Sequence, residues 1–232
     1  MPLLATFMPA TAMPAIAIPR NADRSQSIGE EIANSISHGV GALAAIASVP
    51  ILLYITAGKG GAANIVGASV FATTMVLLYL VSALYHALPE SRAKRVFLRL
   101  DHGSIYLFIA GTYTPFTLGA LGGVWGWTLF GIVWTLAAIG VTLKACNWLS
   151  HPWLSTGLYL LMGWLVLIAA APLVAKVAPA GVAWLVAGGL AYTLGVVFFV
   201  LDTRLRYAHF IWHLFVMAGT ACHFFAVLWY AV

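Results

Sequence analysis

Residues 64–88 read NIVGASVFATTMVLLYLVSALYHAL, without one Asp, Glu, Lys or Arg. At 1.5 Å per residue such a run, coiled as an α-helix, is long enough to cross the ~30 Å hydrocarbon layer of a bilayer. A helix also satisfies its own backbone hydrogen bonds, which lipid cannot do for it. The run stops at Pro89-Glu90-Ser91-Arg92, a helix breaker followed by charge. Comparable apolar runs occupy 31–57, 101–120, 124–144, 154–174, 181–200 and 209–231, with Gly, Pro or charged residues in the breaks between them. The fold class is therefore all-α: a polytopic membrane protein, a bundle of seven transmembrane helices in one domain over residues 28–232.

Composition supports the same reading. The chain is 62% hydrophobic and only 7% charged, where soluble domains are about half apolar and about a quarter charged. Lipid must be the solvent for most of it. The net charge of +5 belongs to short loops and marks topology, so no nucleic-acid partner is implied. With the N-terminus inside, the inner segments hold Arg20, Arg24, Arg92, Lys94, Arg95, Arg99, Lys144, Arg204 and Arg206, and the outer loops only Lys59 and Lys176. That excess sets the N-terminus in the cytoplasm and the C-terminus outside. Cys146 and Cys222 form no CxxC motif and imply no disulfide framework. Residues 1–27 are rich in Met, Pro and Ala, and their positive charges follow the apolar part, the reverse of a secretory signal. They are expected to form a weakly ordered extension. No internal repeat emerges, and seven helices do not suit a simple inverted-repeat transporter.

Ionisable groups in membrane helices are costly, so their placement is informative. The second run ends with Ser82-Ala-Leu-Tyr-His86, the third begins with Leu100-Asp101-His102, and the seventh begins with His209-Phe-Ile-Trp-His213. All three arrive at the same membrane face, the inner one. Ser82 and His86 are four apart, as are His209 and His213, so each pair shares a helical face. Three imidazoles, from His86, His209 and His213, make a nitrogen set that zinc accepts while keeping a fourth position open for water or substrate. Asp101 then stands ready to orient or deprotonate that water or to bind the ion itself, and Ser82 to hydrogen-bond nearby. Taken singly, each residue has an ordinary reading, such as a helix-end carboxylate or an interfacial histidine; their common depth argues for a site. His102 points about 100° away from Asp101 and is expected to pack or meet the headgroups, while His151 reads as a loop residue. His223 lies ten residues past His213, about 15 Å deeper, too far for the same ion. His38, Glu31 and Ser35 form a polar stripe that should face the bundle interior.

Four stretches carry a family resemblance: Glu30-Glu-Ile-Ala-Asn-Ser-Ile-Ser-His38-Gly, Ser82-Ala-Leu-Tyr-His86, Arg99-Leu-Asp101-His102 through Ala110-Gly-Thr-Tyr-Thr-Pro115-Phe, and His209-Phe-Ile-Trp-His213-Leu-Phe. In order and placement they resemble bacterial haemolysin III proteins, within the progestin and adipoQ receptor family that includes the adiponectin receptors. The resemblance runs from about residue 28 to the end. It implies a bacterial cytoplasmic (inner) membrane protein with zinc near the cytoplasmic side, held at the positions of His86, His209 and His213, with Asp101 and Ser82 beside it. The related alkaline ceramidases suggest hydrolysis of a lipid amide. The chain lacks the long N-terminal domain of the animal receptors, so hormone recognition is not carried over.

The leading expectation is a zinc-dependent hydrolase of a lipid amide or ester, with Asp101 as general base and Ser82 assisting, and an acyl chain or fatty acid lodged among the helices. The alternatives are a membrane sensor or regulator of membrane homeostasis in which zinc is structural, a cytolytic haemolysin, and a proton-coupled transporter.

Overall fold

The computed structural model describes residues 24–149 and 151–231. The expected N-terminal extension lies outside the described residues up to residue 23. Seven helices are long and apolar enough to cross a membrane. They are α1 (Ile28–Lys59), α2 (Ala62–Ala87), α3 (Arg92–Phe116), α4 (Gly123–Ala145), a fifth span built from α5 (Pro152–Trp164) and α6 (Ala170–Lys176), then α7 (Pro179–Val200) and α8 (Ala208–Tyr230). No strand occurs among the described residues.

Local chemistry sets the boundaries. Ser27 accepts a hydrogen bond from the Glu30 N–H while its own N–H donates to the Glu30 carboxylate, 2.9 Å away, a capping box that starts α1. Ser91 caps α3 through the Lys94 N–H at 3.1 Å. That cap starts α3 at Arg92, more than two turns before residue 101, where the apolar run suggested it begins. Hydropathy registers only the lipid-soluble part of a helix whose first turns are basic.

Two spans are distorted. Pro115 interrupts the ladder of α3, which loosens into a π turn over Thr117–Leu121. The fifth span, expected as one continuous helix, narrows to a 3-10 turn over Leu165–Ala169. The Tyr113 hydroxyl sits at this break. It accepts from the Val166 N–H at 2.9 Å and lies 2.8 Å from the carbonyl oxygens of both Met162 and Gly163. Irregular backbone at membrane depth survives only with such substitute partners.

Around the bundle, α1 packs between α2 and α8, α2 continues to α3, and α7 lies along α8. The fifth span closes the ring between α3 and α7 with far less intimate packing than the other neighbours share. The main core, around Leu52, Phe71, Met75, Tyr79, Phe108 and Val216, lies between α1, α2, α3 and α8. Large apolar side chains such as Leu43, Tyr54, Trp127, Leu161 and Leu194 stay exposed on the outside, where lipid receives them. Since lipid is as apolar as leucine, helix association depends on close fit and small residues. At Gly67 of α2 an added Cβ would lie 2.7 Å from the Pro115 Cα of α3, and at Gly140 of α4 it would lie 2.5 Å from the Tyr106 ring.

A backbone neighbour cannot rotate aside as a side chain can. Gly67→Val should therefore force α2 and α3 apart and cost about 1–3 kcal/mol of stability. Thermal unfolding in detergent should record a clear drop for this variant, and little change for a valine at Gly39, which has open space around it.

Candidate metal centre

His86 closes α2, and His209 and His213 occupy the first turns of α8. Their ligand atoms all lie within 4.8 Å of one another. Ring centroids are 5.1 Å apart for His86–His209 and His86–His213, and 4.7 Å for His209–His213. The three imidazoles thus form a nearly equilateral cluster at one end of the bundle, as the helical spacing suggested.

Each ring is held by its Nδ1. His86 Nδ1 lies 2.7 Å from the Glu31 carboxylate and His209 Nδ1 2.9 Å from that of Asp202. His213 Nδ1 lies 3.1 Å from Ser37 Oγ. The Ser37 hydroxyl donates to the Asn34 carbonyl, so towards His213 it acts as acceptor. Two carboxylates and one acceptor hydroxyl therefore place a proton on all three Nδ1 atoms and leave Nε2 of each ring with its lone pair. The Nε2 of His86 is buried with no partner in the protein. An unpartnered buried nitrogen beside two further oriented imidazoles is the kind of donor set a metal ion requires. The residues fit a cation, and a borderline-soft divalent one suits three imidazoles best.

The orienting groups are themselves fixed. Glu31 also receives the Lys94 ammonium at 2.9 Å, and that ammonium caps the Leu88 carbonyl and lies over the Tyr85 ring. Lys94 was counted among the topology charges; it is buried and spent on this contact. Glu30 takes Arg24 through two 2.6 Å bonds and the Tyr207 N–H at 2.7 Å. Arg24 in turn donates to the carbonyls of Asp202 and Leu205. The turn carrying Asp202 is thereby strapped to α1, and it ends at Tyr207, held at a left-handed φ of 59°. The Glu30 hydrogen bond raises the Arg24 guanidinium further above its ordinary value, so the strap stays charged.

Asp101 and Ser82 are both buried, with the Ser82 side chain close enough to interact with the Asp101 carboxyl group. Both line a cavity of about 330 Å³ that also opens onto His209 and His213 and runs between α3, the fifth span, α7 and α8 as far as Leu121 and Val174. Its walls are chiefly apolar. His38 lines it too, its ring stacked 3.5 Å from that of His213 and both its nitrogens without partners. The polar stripe of α1 faces inward as expected: beside Glu31 and His38, Ser35 donates to the Ala83 carbonyl. His102 lies on the cavity wall, packed as one of its two expected readings had it, and its carbonyl accepts from the Tyr159 hydroxyl. His223 lines the cavity far from the cluster, and His151 is an exposed residue at the start of α5.

The sequence reading missed Asp202 and Ser37. Asp202 is the one acidic residue of a basic turn, seven before His209, and that oddity was its available signal. Ser37 gave none, being one of many small polar residues in α1.

Partners of metal-bound histidines typically contribute 10–100-fold to affinity. Asp202→Ala and Glu31→Ala should each weaken metal retention by roughly that factor while leaving the three histidines in place. Chelator competition followed by elemental analysis should show it, with Glu90→Ala, in the α2–α3 turn, unchanged.

Comparison with known proteins places the chain in a family. The family described as Haemolysin-III related matches residues 26–224. "Hemolysin-3" of Bacillus cereus is 43% identical over 208 residues, 90% of this chain and 94% of that protein. "Hemolysin-3 homolog" of Bacillus subtilis is 44% identical over 206 residues, 89% and 96% respectively. The human "Monocyte to macrophage differentiation factor" is 30% identical over 167 residues, covering 68% of this chain and 67% of its own length. With its seven membrane helices and three-histidine cluster, the chain belongs to the haemolysin III family.

Proposed function

We propose that this chain is a zinc-dependent membrane hydrolase that cleaves an amide or ester bond in a lipid. The observation that carries the proposal is the joining of two features: three Nδ1-anchored histidines, and a long apolar cavity that reaches them with Asp101 and Ser82 at the junction. His86, His209 and His213 would hold zinc through Nε2. Bound there, zinc supplies polarisation of a carbonyl and acidification of water near neutral pH.

The chain's own residues do the rest. The apolar walls take the acyl chain and keep water out of most of the site. Asp101 accepts the proton of the attacking water and returns it to the departing nitrogen or oxygen. Ser82, beside that carboxylate, fixes its direction. His38, with both ring nitrogens free, offers a hydrogen bond to the polar part of the bound lipid.

The test is fatty-acid release by purified, zinc-containing protein from a panel of lipid amides and esters, read by mass spectrometry. Asp101→Ala should lower turnover by about 10²-fold or more and leave zinc content and folding unchanged. Loss of stability together with zinc would favour a structural ion and a sensor or regulator role instead, and a panel with no release at all would count against hydrolysis.

We also infer that the cluster lies on the cytoplasmic side of a bacterial inner membrane, supported by the nine-to-two bias of basic residues towards that face. Cys146 is exposed beyond the end of α4 on the cluster's side. In a Cys222→Ser background, an impermeant maleimide should label Cys146 in inside-out vesicles and fail to do so in intact cells.

A further inference from the structure

The cavity holds a second polar feature, well away from the three-histidine cluster. His223 of α8 is only 8% exposed, lines the cavity, and has a buried Nδ1 without any partner. Its surroundings are built to receive the ring. Gly188 of α7 lies against it, where an added Cβ would stand 2.8 Å from Cε1. Tyr192 stacks on it at 5.4 Å between centroids, and Gly219 leaves the room that the Tyr192 ring fills.

The nearby hydroxyls are already engaged. Tyr192 Oη is paired with Thr220 Oγ1 at 3.0 Å, and Thr193 Oγ1 serves the Gly189 carbonyl and the Trp164 indole N–H. The Leu185 carbonyl lies near the imidazole, and among the described residues Nδ1 has no partner. A buried polar nitrogen without a partner costs about 1–3 kcal/mol, so whatever fills the cavity is under pressure to supply one.

We propose that His223 is a second binding station, one that takes a hydroxyl group carried partway along the bound acyl chain. A hydroxyl both donates and accepts, so it satisfies Nδ1 in either tautomer, while the carbons on either side of it stay against the apolar wall. Ten helical residues separate His223 from His213, about 15 Å along the bundle. An extended chain advances about 1.2 Å per bond, since three backbone bonds span 3.3–3.6 Å. The hydroxyl therefore belongs roughly a dozen bonds from the group at the histidine cluster. The station rests on the reading above that the cavity accepts an acyl chain, and it narrows the ligand class to mid-chain hydroxylated acyl groups.

Binding of three free acids to the purified chain in nanodiscs, measured by calorimetry, tests this. Stearic acid is the reference, 12-hydroxystearic acid places its hydroxyl near the station, and 2-hydroxystearic acid carries the same group at the wrong depth. The 12-hydroxy acid should bind about fivefold to tenfold more tightly than stearic acid, the gain of one hydrogen bond, and the 2-hydroxy acid should show no such gain. His223→Phe should erase the preference while keeping stearic acid affinity within about twofold, and His223→Gln should restore much of it. Equal affinity for stearic and 12-hydroxystearic acid in the unaltered chain overturns the station alone, as does a preference that survives His223→Phe. Failure of every acid to bind overturns the acyl-chain reading itself. The comparison of acids on the unaltered chain decides the matter even if the phenylalanine variant does not fold.

Discussion

The protonated Nδ1 of each clustered histidine is the constraint on which the site depends. An imidazole free to spin presents either nitrogen, and three such rings on two helices would have no common focus. Glu31, Ser37 and Asp202 remove that freedom. Two of the three come from the first turns of α1, and the third is tied to α1 through Arg24 and Glu30. The helix that donates no imidazole to the cluster therefore organises it. The two carboxylate bonds, from Glu31 and Asp202, contribute about 1.5–3 kcal/mol each, more than exposed pairs do, because lipid and protein shield them from water. The polar end of the bundle is accordingly held by directional bonds, where the remainder is held by shape.

This division explains what could be read in the sequence. Spans such as 64–88 announce themselves by composition alone, and the four-residue spacings of Ser82 with His86 and of His209 with His213 survive any reasonable shift of helix boundaries. The common depth of His86, Asp101 and His209 follows from counting residues from the nearest breaks. None of this requires knowing which helix touches which. Asp202 could not be placed in the same way, because its role depends on a turn whose course is set by Arg24 and Glu30 from the far end of the sequence. Lys94 carries a second role of the same kind. A lysine at the head of α3 reads as a topology signal, and only the approach of α1 to α2 and α3 brings it to Glu31. The start of α3 was misplaced for a related reason, since hydropathy is blind to two turns of basic amphipathic helix.

The cavity was legible only as an expectation, and its cause lies in the two distorted spans. A bundle of straight, well-fitted helices leaves no continuous space of this size, because close packing is what associates helices in lipid. Here Pro115 loosens the end of α3, and the fifth span breaks between Trp164 and Ala170. Neither distortion is tolerable unless its freed backbone groups find partners. Tyr113 supplies them from α3 to the fifth span, and Trp164 ties the same break to Thr193 on α7. The span that packs least closely is thus the one held at its middle through two side chains, Tyr113 and Trp164. Tyr159 on the His102 carbonyl and Lys176 on the Leu121 carbonyl hold the same span towards its two ends, so an apolar channel lies beside the cluster along a span fixed by polar contacts rather than by close packing. A molecule with a polar group and a long chain matches that combination of a fixed polar end and a loosely walled apolar remainder, and a compact polar solute does not.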